Sequence, residues 1–314
     1  MGIWARWLRR PHSTRLRKVS FQLHLWIGLA TGLYVVMLSV TGSALVFRRE
    51  LDRAFSPRRP VFNESLRLLP EETLAQAARR AYPGHTVTRV GAVERRSPVV
   101  RISLARGEDT FERLFNAYTG ADLGDPYPRL ARALLWTADL HDDLLMVDGG
   151  RGRYWNGLGS LFVTLLCATG AMIWWRGVAG WARGMTINWR VPWPRLSFDL
   201  HSATGFWFFA VIALWAVSGI YLAFPDPFGR FVDWGWGEDL SSYPRSGDVV
   251  LEWLVRLHFG RWRSHTLKAV WVIIGLVPAV MFATGLAMWW CRVVRGPAKA
   301  GHYVQQSVVV QDRT

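Results

Sequence analysis

Four blocks of apolar residues constrain this chain more than any other feature of its sequence. Each block holds about twenty residues or more with almost no charge, the length that an α-helix needs to cross a hydrocarbon core of about 30 Å. A buried helix of a soluble protein rarely stays uncharged on every face for so long. We therefore predict four transmembrane helices, in the blocks Gln22 to Phe47, Trp155 to Trp175, Ala203 to Phe224 and Ala269 to Trp290.

The formal net charge of +15 would suit a nucleic-acid-binding protein, but the distribution of that charge indicates membrane orientation instead. Arginines and lysines cluster before the first block and between the second and third blocks, whereas the loop between the third and fourth carries as many acids as bases. By the positive-inside rule, both termini and the loop after the second block should be cytoplasmic. We expect membrane lipid as a partner and no nucleic acid.

A small soluble module is predicted between the first two spans. A helical stretch begins at Pro70 and ends at Pro83, with acidic residues in its first turn as the helix dipole prefers. Three strand-like segments follow at 86–93, 98–105 and 110–117. The chain is divided as follows: 1–20 basic cytoplasmic lead, 21–48 first span, 49–154 periplasmic α+β domain and connector, 155–176 second span, 177–200 cytoplasmic loop, 201–224 third span, 225–268 periplasmic loop, 269–291 fourth span and 292–314 cytoplasmic tail.

An internal repeat relates the first two spans to the last two. The segment LHLWIGLATGLYVVMLSVTGSALVF in span one aligns with LHSATGFWFFAVIALWAVSGIYLAF in span three, and CATGAMIWWR in span two aligns with FATGLAMWWCR in span four. Each copy holds two spans, so both copies have the same orientation and an axis along the membrane normal should relate them. The predicted fold is an all-α bundle of two parallel-repeat hairpins, with the α+β domain inserted into the first copy.

Four of the eight histidines occupy equivalent places in the two copies. His24 and His201 begin spans one and three, whereas His141 and His258 precede spans two and four. Topology therefore predicts one pair near each membrane face, and the repeat axis would bring the members of each pair together. Facing imidazoles are what six-coordinate haem iron needs, so we predict that these four residues bind the iron of two b-type haems. The alternative for a single histidine is an interfacial anchor, and His265 competes with His258.

Glycines accompany these histidines. Gly28 and Gly205 each lie one helical turn after a histidine, on the same face of the span, where the missing side chain would let a flat porphyrin approach. Ser/Thr-Gly pairs at the far ends of the spans are expected to serve the macrocycle at the opposite level in the same way: Thr41-Gly42, Thr169-Gly170, Ser218-Gly219 and Thr284-Gly285. Glycines of membrane helices also serve helix packing without any cofactor.

The ordered set of motifs LHLWIGL, LFNAYTGADLGDP, LHDDLL, DLHSATGFW and LHFGRW resembles the PepSY-associated transmembrane proteins over residues 15 to 295. Members include bacterial inner-membrane reductases of ferric siderophores. The resemblance implies a multi-pass inner-membrane oxidoreductase with a periplasmic PepSY-like domain, two haems held by the four paired histidines, and a periplasmic acceptor such as an Fe(III)-siderophore. No G-x-G-x-x-G unit, the signature of a dinucleotide-binding domain, follows a strand. The electron donor is therefore expected to be another molecule, cytoplasmic or in the membrane, and is unidentified.

Two other functions are open at this stage. The membrane part could anchor a PepSY module that binds or inhibits a peptidase, or the chain could be an iron or siderophore permease. Neither needs haem. The duplicated histidines and nearby glycines favour electron transfer, and a small bundle without a broken span or buried carboxylates disfavours transport.

Overall fold

The computed structural model describes residues 15–55, 66–92, 98–146, 150–175, 181–237 and 244–309. Most of the basic lead, residues 177–180 of the predicted cytoplasmic loop and the end of the first predicted strand lie outside these ranges. The chain forms two compact units, one of residues 1–46 and 137–314 and the other of residues 47–136. The first unit contains the long apolar helices.

Four helices of the described chain are long and apolar enough to cross a membrane, as the sequence predicts. Span 1 is α1 (Arg15–Leu45), span 2 is α5 (Arg151–Trp174) and span 3 is α6 (Trp193–Ala223). Span 4 (His265–Val294) combines α9 (His265–Gly275) with the first part of α10 (Val277–Val309). Spans 1 and 3 each pack against both span 2 and span 4. The helices therefore form a ring, and side chains of spans 1 and 3 can meet in its middle.

A helix break divides span 4 at Leu276, where α9 ends and α10 begins. The expectation of a bundle without a broken span or buried carboxylates is therefore wrong, since Asp199 of span 3 is also buried. Pro278 has no amide hydrogen to donate within the helix. Ser39 of span 1 donates a hydrogen bond to the carbonyl of Gly275 at 2.5 Å and accepts one from the amide of Ala279 at 3.3 Å. These bonds satisfy polar groups that no water could reach in a bilayer core, and they tie span 4 to span 1.

Further helices flank the spans in segments for which the sequence predicts only a connector or a loop. Helix α4 (Arg129–Asp143) precedes span 2, α7 (Pro225–Trp236) follows span 3, and α8 (Ser246–His258) precedes span 4. A 3₁₀ turn (Trp181–Gly184) lies between spans 2 and 3. Helices α4 and α8 are amphipathic rather than uniformly apolar, so they lack the composition of a membrane span. They carry His141 and His258.

The second unit is the inserted α+β domain, and its predicted composition is confirmed. It contains α2 (Arg48–Phe55), α3 (Glu71–Ala81) and four antiparallel strands in the order β1 (Thr86–Val90), β2 (Val99–Arg106), β3 (Asp109–Asn116) and β4 (Asp122–Gly124). Leu74 and Ala78 of α3 pack on Ile102 and Phe115 of the sheet to form its core. Strand β4 was not predicted, since three residues are too few to show an alternating pattern.

Candidate site: two pairs of facing histidines

The structure brings the four repeated histidines together in two pairs. The ring centroids of His24 and His201, the first pair, are 6.2 Å apart with an angle of 87° between the ring planes. Those of His141 and His258, the second pair, are 6.5 Å apart at 65°. Two imidazoles that each bind one metal ion through a nitrogen at about 2 Å have centroids roughly 6 Å apart. Both separations suit a metal ion held between the rings.

The two pairs lie at opposite ends of the bundle. On span 1, His24 belongs to the first pair and Thr41, 17 residues later (41 minus 24), contacts the second. On span 3, His201 and Ser218 are also 17 residues apart (218 minus 201). At 1.5 Å per residue, this spacing separates the pairs by roughly 25 Å along the helix axes. That distance is close to the thickness of a hydrocarbon core.

A hydroxyl group contacts each of the four histidine rings at Nδ1. All four hydroxyl residues are buried and all come from the repeated Ser/Thr-Gly pairs. The distances from hydroxyl oxygen to Nδ1 are 3.1 Å for Thr169 and His24, 3.1 Å for Thr284 and His201, 2.8 Å for Thr41 and His141, and 2.6 Å for Ser218 and His258. Since Nδ1 is engaged in every ring, Nε2 is the nitrogen that remains for a metal.

The glycines of three of these pairs lie directly against the histidine rings. A Cβ atom added at Gly42 would be 2.9 Å from Cε1 of His141, and one at Gly170 would be 3.2 Å from Cε1 of His24. The corresponding distance for Gly285 and His201 is 3.3 Å. Gly219 differs, because its missing side chain faces Ser160. The sequence pattern predicts that these glycines make room for the macrocycle, whereas three of them lie against the imidazole in the structure.

Gly28 and Gly205 lie one helical turn after His24 and His201, as the sequence predicts. Among the described residues, a Cβ atom at Gly28 would meet only Cδ2 of Leu166, at an ordinary 3.8 Å, so their packing does not explain this glycine. At Gly205 it would be 3.0 Å from Cε of Met281, the end of a flexible side chain. The next glycine along span 1, Gly32, instead packs against the ring of Phe282.

Burial keeps the second pair uncharged. It lowers the pKa of His141 to about 4. It also lowers the pKa of His258 to about 3, where the proximity of His141 acts in the same direction. Both imidazoles are therefore neutral at physiological pH, which is the form that binds a metal ion. His265, the sequence-based competitor of His258, is an exposed residue at the first position of α9, and His258 is the residue that faces His141.

A sequence comparison places these features in a family. The profile of the PepSY-associated TM region matches residues 21–238 and 230–292, most of the chain. The chain belongs to the PepSY-associated TM region family. No curated protein matches the chain. All four paired histidines and all four hydroxyl residues of this PepSY-associated protein lie within the matched residues.

Asn156 and Tyr34, which were not among the predicted site residues, position the second pair. The side-chain amide of Asn156 donates hydrogen bonds to the carbonyls of His141 at 2.6 Å and Asp142 at 3.1 Å, at the end of α4. Tyr34 of span 1 donates in turn to the Asn156 side-chain oxygen at 2.6 Å. These bonds join α4 to spans 1 and 2 of this PepSY-associated protein. An asparagine within an apolar span is costly unless its amide is hydrogen-bonded. The occurrence of Asn156 in span 2 was therefore the sequence signal that could have revealed this role.

Proposed function

We propose that this protein transfers electrons across the bacterial inner membrane through two b-type haems, each bound by one histidine pair. Two side-chain ligands alone do not complete the coordination of a transition metal, whereas a haem would bring its own nitrogen ligands and would need only the two imidazoles of a pair from the protein. When bound, the two haems would supply one-electron transfer at iron, and the four histidines would hold them. The observation that carries this proposal is the facing of two imidazoles in each of two places, at centroid separations of 6.2 Å and 6.5 Å that fit a metal ion between the rings.

The side chains of the bundle have separate tasks in this proposal. His24 and His201 hold one iron, and His141 and His258 hold the other. Gly28 and Gly205 leave a smooth surface beside the first pair. The buried hydroxyls orient the rings, and the surrounding apolar helices exclude water and so influence the reduction potentials.

The distribution of basic residues supports an orientation for this pathway. With both termini cytoplasmic, the first pair lies near the cytoplasmic face and the second near the periplasmic face. The inserted PepSY-like domain is then periplasmic. Electrons would come from a cytoplasmic or membrane donor and reduce a periplasmic acceptor, and the resemblance to siderophore reductases favours an Fe(III)-siderophore. The activity is accordingly that of an oxidoreductase in iron uptake.

Absorption spectroscopy of the full-length protein in mild detergent tests the proposal. We expect about two haems per chain and a sharp α band after reduction with dithionite. His24→Ala should abolish one centre and His141→Ala the other, because each removes one axial ligand. His265→Ala and His85→Ala are matched controls and should retain both. Colourless protein from haem-replete cells would refute the proposal and favour a membrane anchor for the PepSY domain.

The acceptor is tested separately. Anaerobically reduced protein is mixed with a ferric hydroxamate siderophore, and the α band is followed with time. Its rapid loss is the expected result, with the metal-free siderophore as control. Retention of the reduced spectrum would exclude this acceptor class without affecting the evidence for haem binding.

A further inference from the structure

The hydroxyl that contacts each histidine ring also bonds to a main-chain carbonyl of its own helix. Each hydroxyl oxygen lies within 2.9 Å of the carbonyl oxygen four residues earlier. The distances are 2.7 Å from Thr41 to Met37, 2.7 Å from Thr169 to Leu165, 2.7 Å from Ser218 to Leu214 and 2.9 Å from Thr284 to Val280. A carbonyl oxygen can only accept, so the hydroxyl must donate its proton there.

This arrangement determines the protonation of the imidazole. A hydroxyl has one proton, and once the carbonyl receives it only oxygen lone pairs remain to face the histidine. A bond to Nδ1 then requires Nδ1 to carry a hydrogen. In a neutral ring that leaves Nε2 as an unprotonated Lewis base. The same reasoning applies to all four histidines, since all four contacts share this geometry.

The two pairs differ in one respect. Nδ1 of His201 also lies 3.0 Å from the carbonyl oxygen of Met281, and the main chain of Leu166 lies beside the ring of His24. Leu166 and Met281 are equivalent residues, each three positions before the threonine that contacts the ring. For His141 and His258, the hydroxyl is the only hydrogen-bond partner of the ring within the described residues.

We infer that Thr41, Thr169, Ser218 and Thr284 are positioning residues that present Nε2 of each histidine to iron, and that the additional carbonyls give the first pair the lower reduction potential. A stronger acceptor at Nδ1–H increases the electron density that an imidazole donates and so stabilises the oxidised metal. Electron transfer from the first pair to the second is then energetically downhill. This inference rests on the proposed function, and it adds the residues that set the potentials.

The hydrogen-bond pattern predicts unequal effects of removing the hydroxyls. In Thr169→Val and Thr284→Val, the carbonyl beside the ring can still accept from Nδ1–H. In Thr41→Val and Ser218→Ala, the ring loses its partner. The second centre should therefore lose more haem and show the larger rise in potential. Thr164→Val is a matched control on span 2, because the Thr164 hydroxyl donates to the carbonyl of Ser160 and belongs to neither histidine pair.

Potentiometric titration of the full-length protein, with haem content measured in parallel, tests these potentials. The two waves are assigned with His24→Ala and His141→Ala. We expect the first pair to titrate at the lower potential, and Thr41→Ser to restore the behaviour that Thr41→Val loses. A tenfold change in the relative affinity for oxidised and reduced iron corresponds to about 59 mV. A reversed order of the waves, or hydroxyl variants that titrate like Thr164→Val, would overturn the inference.

Nitrogen NMR of the haem-free protein, labelled at histidine, tests the tautomers independently. The expected result is a hydrogen on Nδ1 at all four paired histidines, with His85 and His265 as references. Rings protonated on Nε2 would overturn the inference even in a protein that binds two haems. A chain that binds no haem but shows the Nδ1–H tautomer would instead refute the proposed function and the potentials, and leave the hydrogen-bond assignment standing.

Discussion

Two glycines on one face of span 1 allow packing to be separated from cofactor binding. Gly28 and Gly32 are one helical turn apart, and alanine improves the intrinsic helix propensity at either position by up to about 1 kcal/mol. A Cβ atom at Gly28 meets only Leu166, at 3.8 Å. One at Gly32 overlaps the ring of Phe282. The same substitution should therefore have opposite effects on stability at the two positions.

The expected magnitudes follow from these contacts. Overpacking of a filled interior costs about 1–3 kcal/mol, so Gly32→Ala should destabilise the haem-free protein after the gain in propensity is subtracted from the cost of the overlap. Gly28→Ala should be neutral or slightly stabilising. For a chain of this size, 1 kcal/mol corresponds to roughly 2–4 °C in melting temperature. The variants should differ by several degrees, with Gly32→Ala the lower.

Thermal unfolding in detergent and haem content are measured on the same preparations. If a porphyrin lies beside the first pair, Gly28→Ala should lower haem occupancy at that centre although the haem-free protein is as stable as the parent. Gly205→Ala serves as the comparison in the second copy. Loss of stability in Gly28→Ala, or full occupancy of both centres, would contradict the role assigned to Gly28.

Three further predictions concern positioning and stability. Asn156→Ala should weaken haem binding at the second pair and spare the first, because the carbonyl of His141 loses its bond to span 2; equal loss at both centres, by redox difference spectra, would contradict this. Although partial burial opposes it, the hydrogen bond from Arg113 lowers the pKa of Asp122. The stability contributed by Asp122 is therefore present above its unfolded pKa of about 4 and lost as pH falls through the folded value. Asp122→Asn should flatten this acid dependence in limited proteolysis of the inserted α+β domain, and an unchanged profile would contradict the stabilising role of Asp122. Ile102→Ala should destabilise that domain by about 2–5 kcal/mol because Ile102 is fully buried; denaturant unfolding with a domain-specific probe checks this, and a loss below 1 kcal/mol would count against the described core.

The sequence by itself determined the four spans, the repeat and the inserted domain. Long uncharged blocks have one stable solution in a bilayer, since every main-chain polar group must bond within its own segment. The repeat of His24 in His201, and of His141 in His258, indicated which rings share a level, because two copies in the same orientation place equivalent residues at equal depth. Family membership follows from the same ordered motifs.

Only the tertiary structure decided what each histidine contacts. The hydroxyl of Thr169 reaches His24 across 145 residues, and that of Thr41 reaches His141 across 100. No local pattern encodes such contacts, because they depend on the depth and rotation at which the helices pack. Helices α4 and α8 were not predicted for a related reason. They are too polar to be read as spans, and packing on the bundle, rather than periodicity alone, holds His141 and His258 in place.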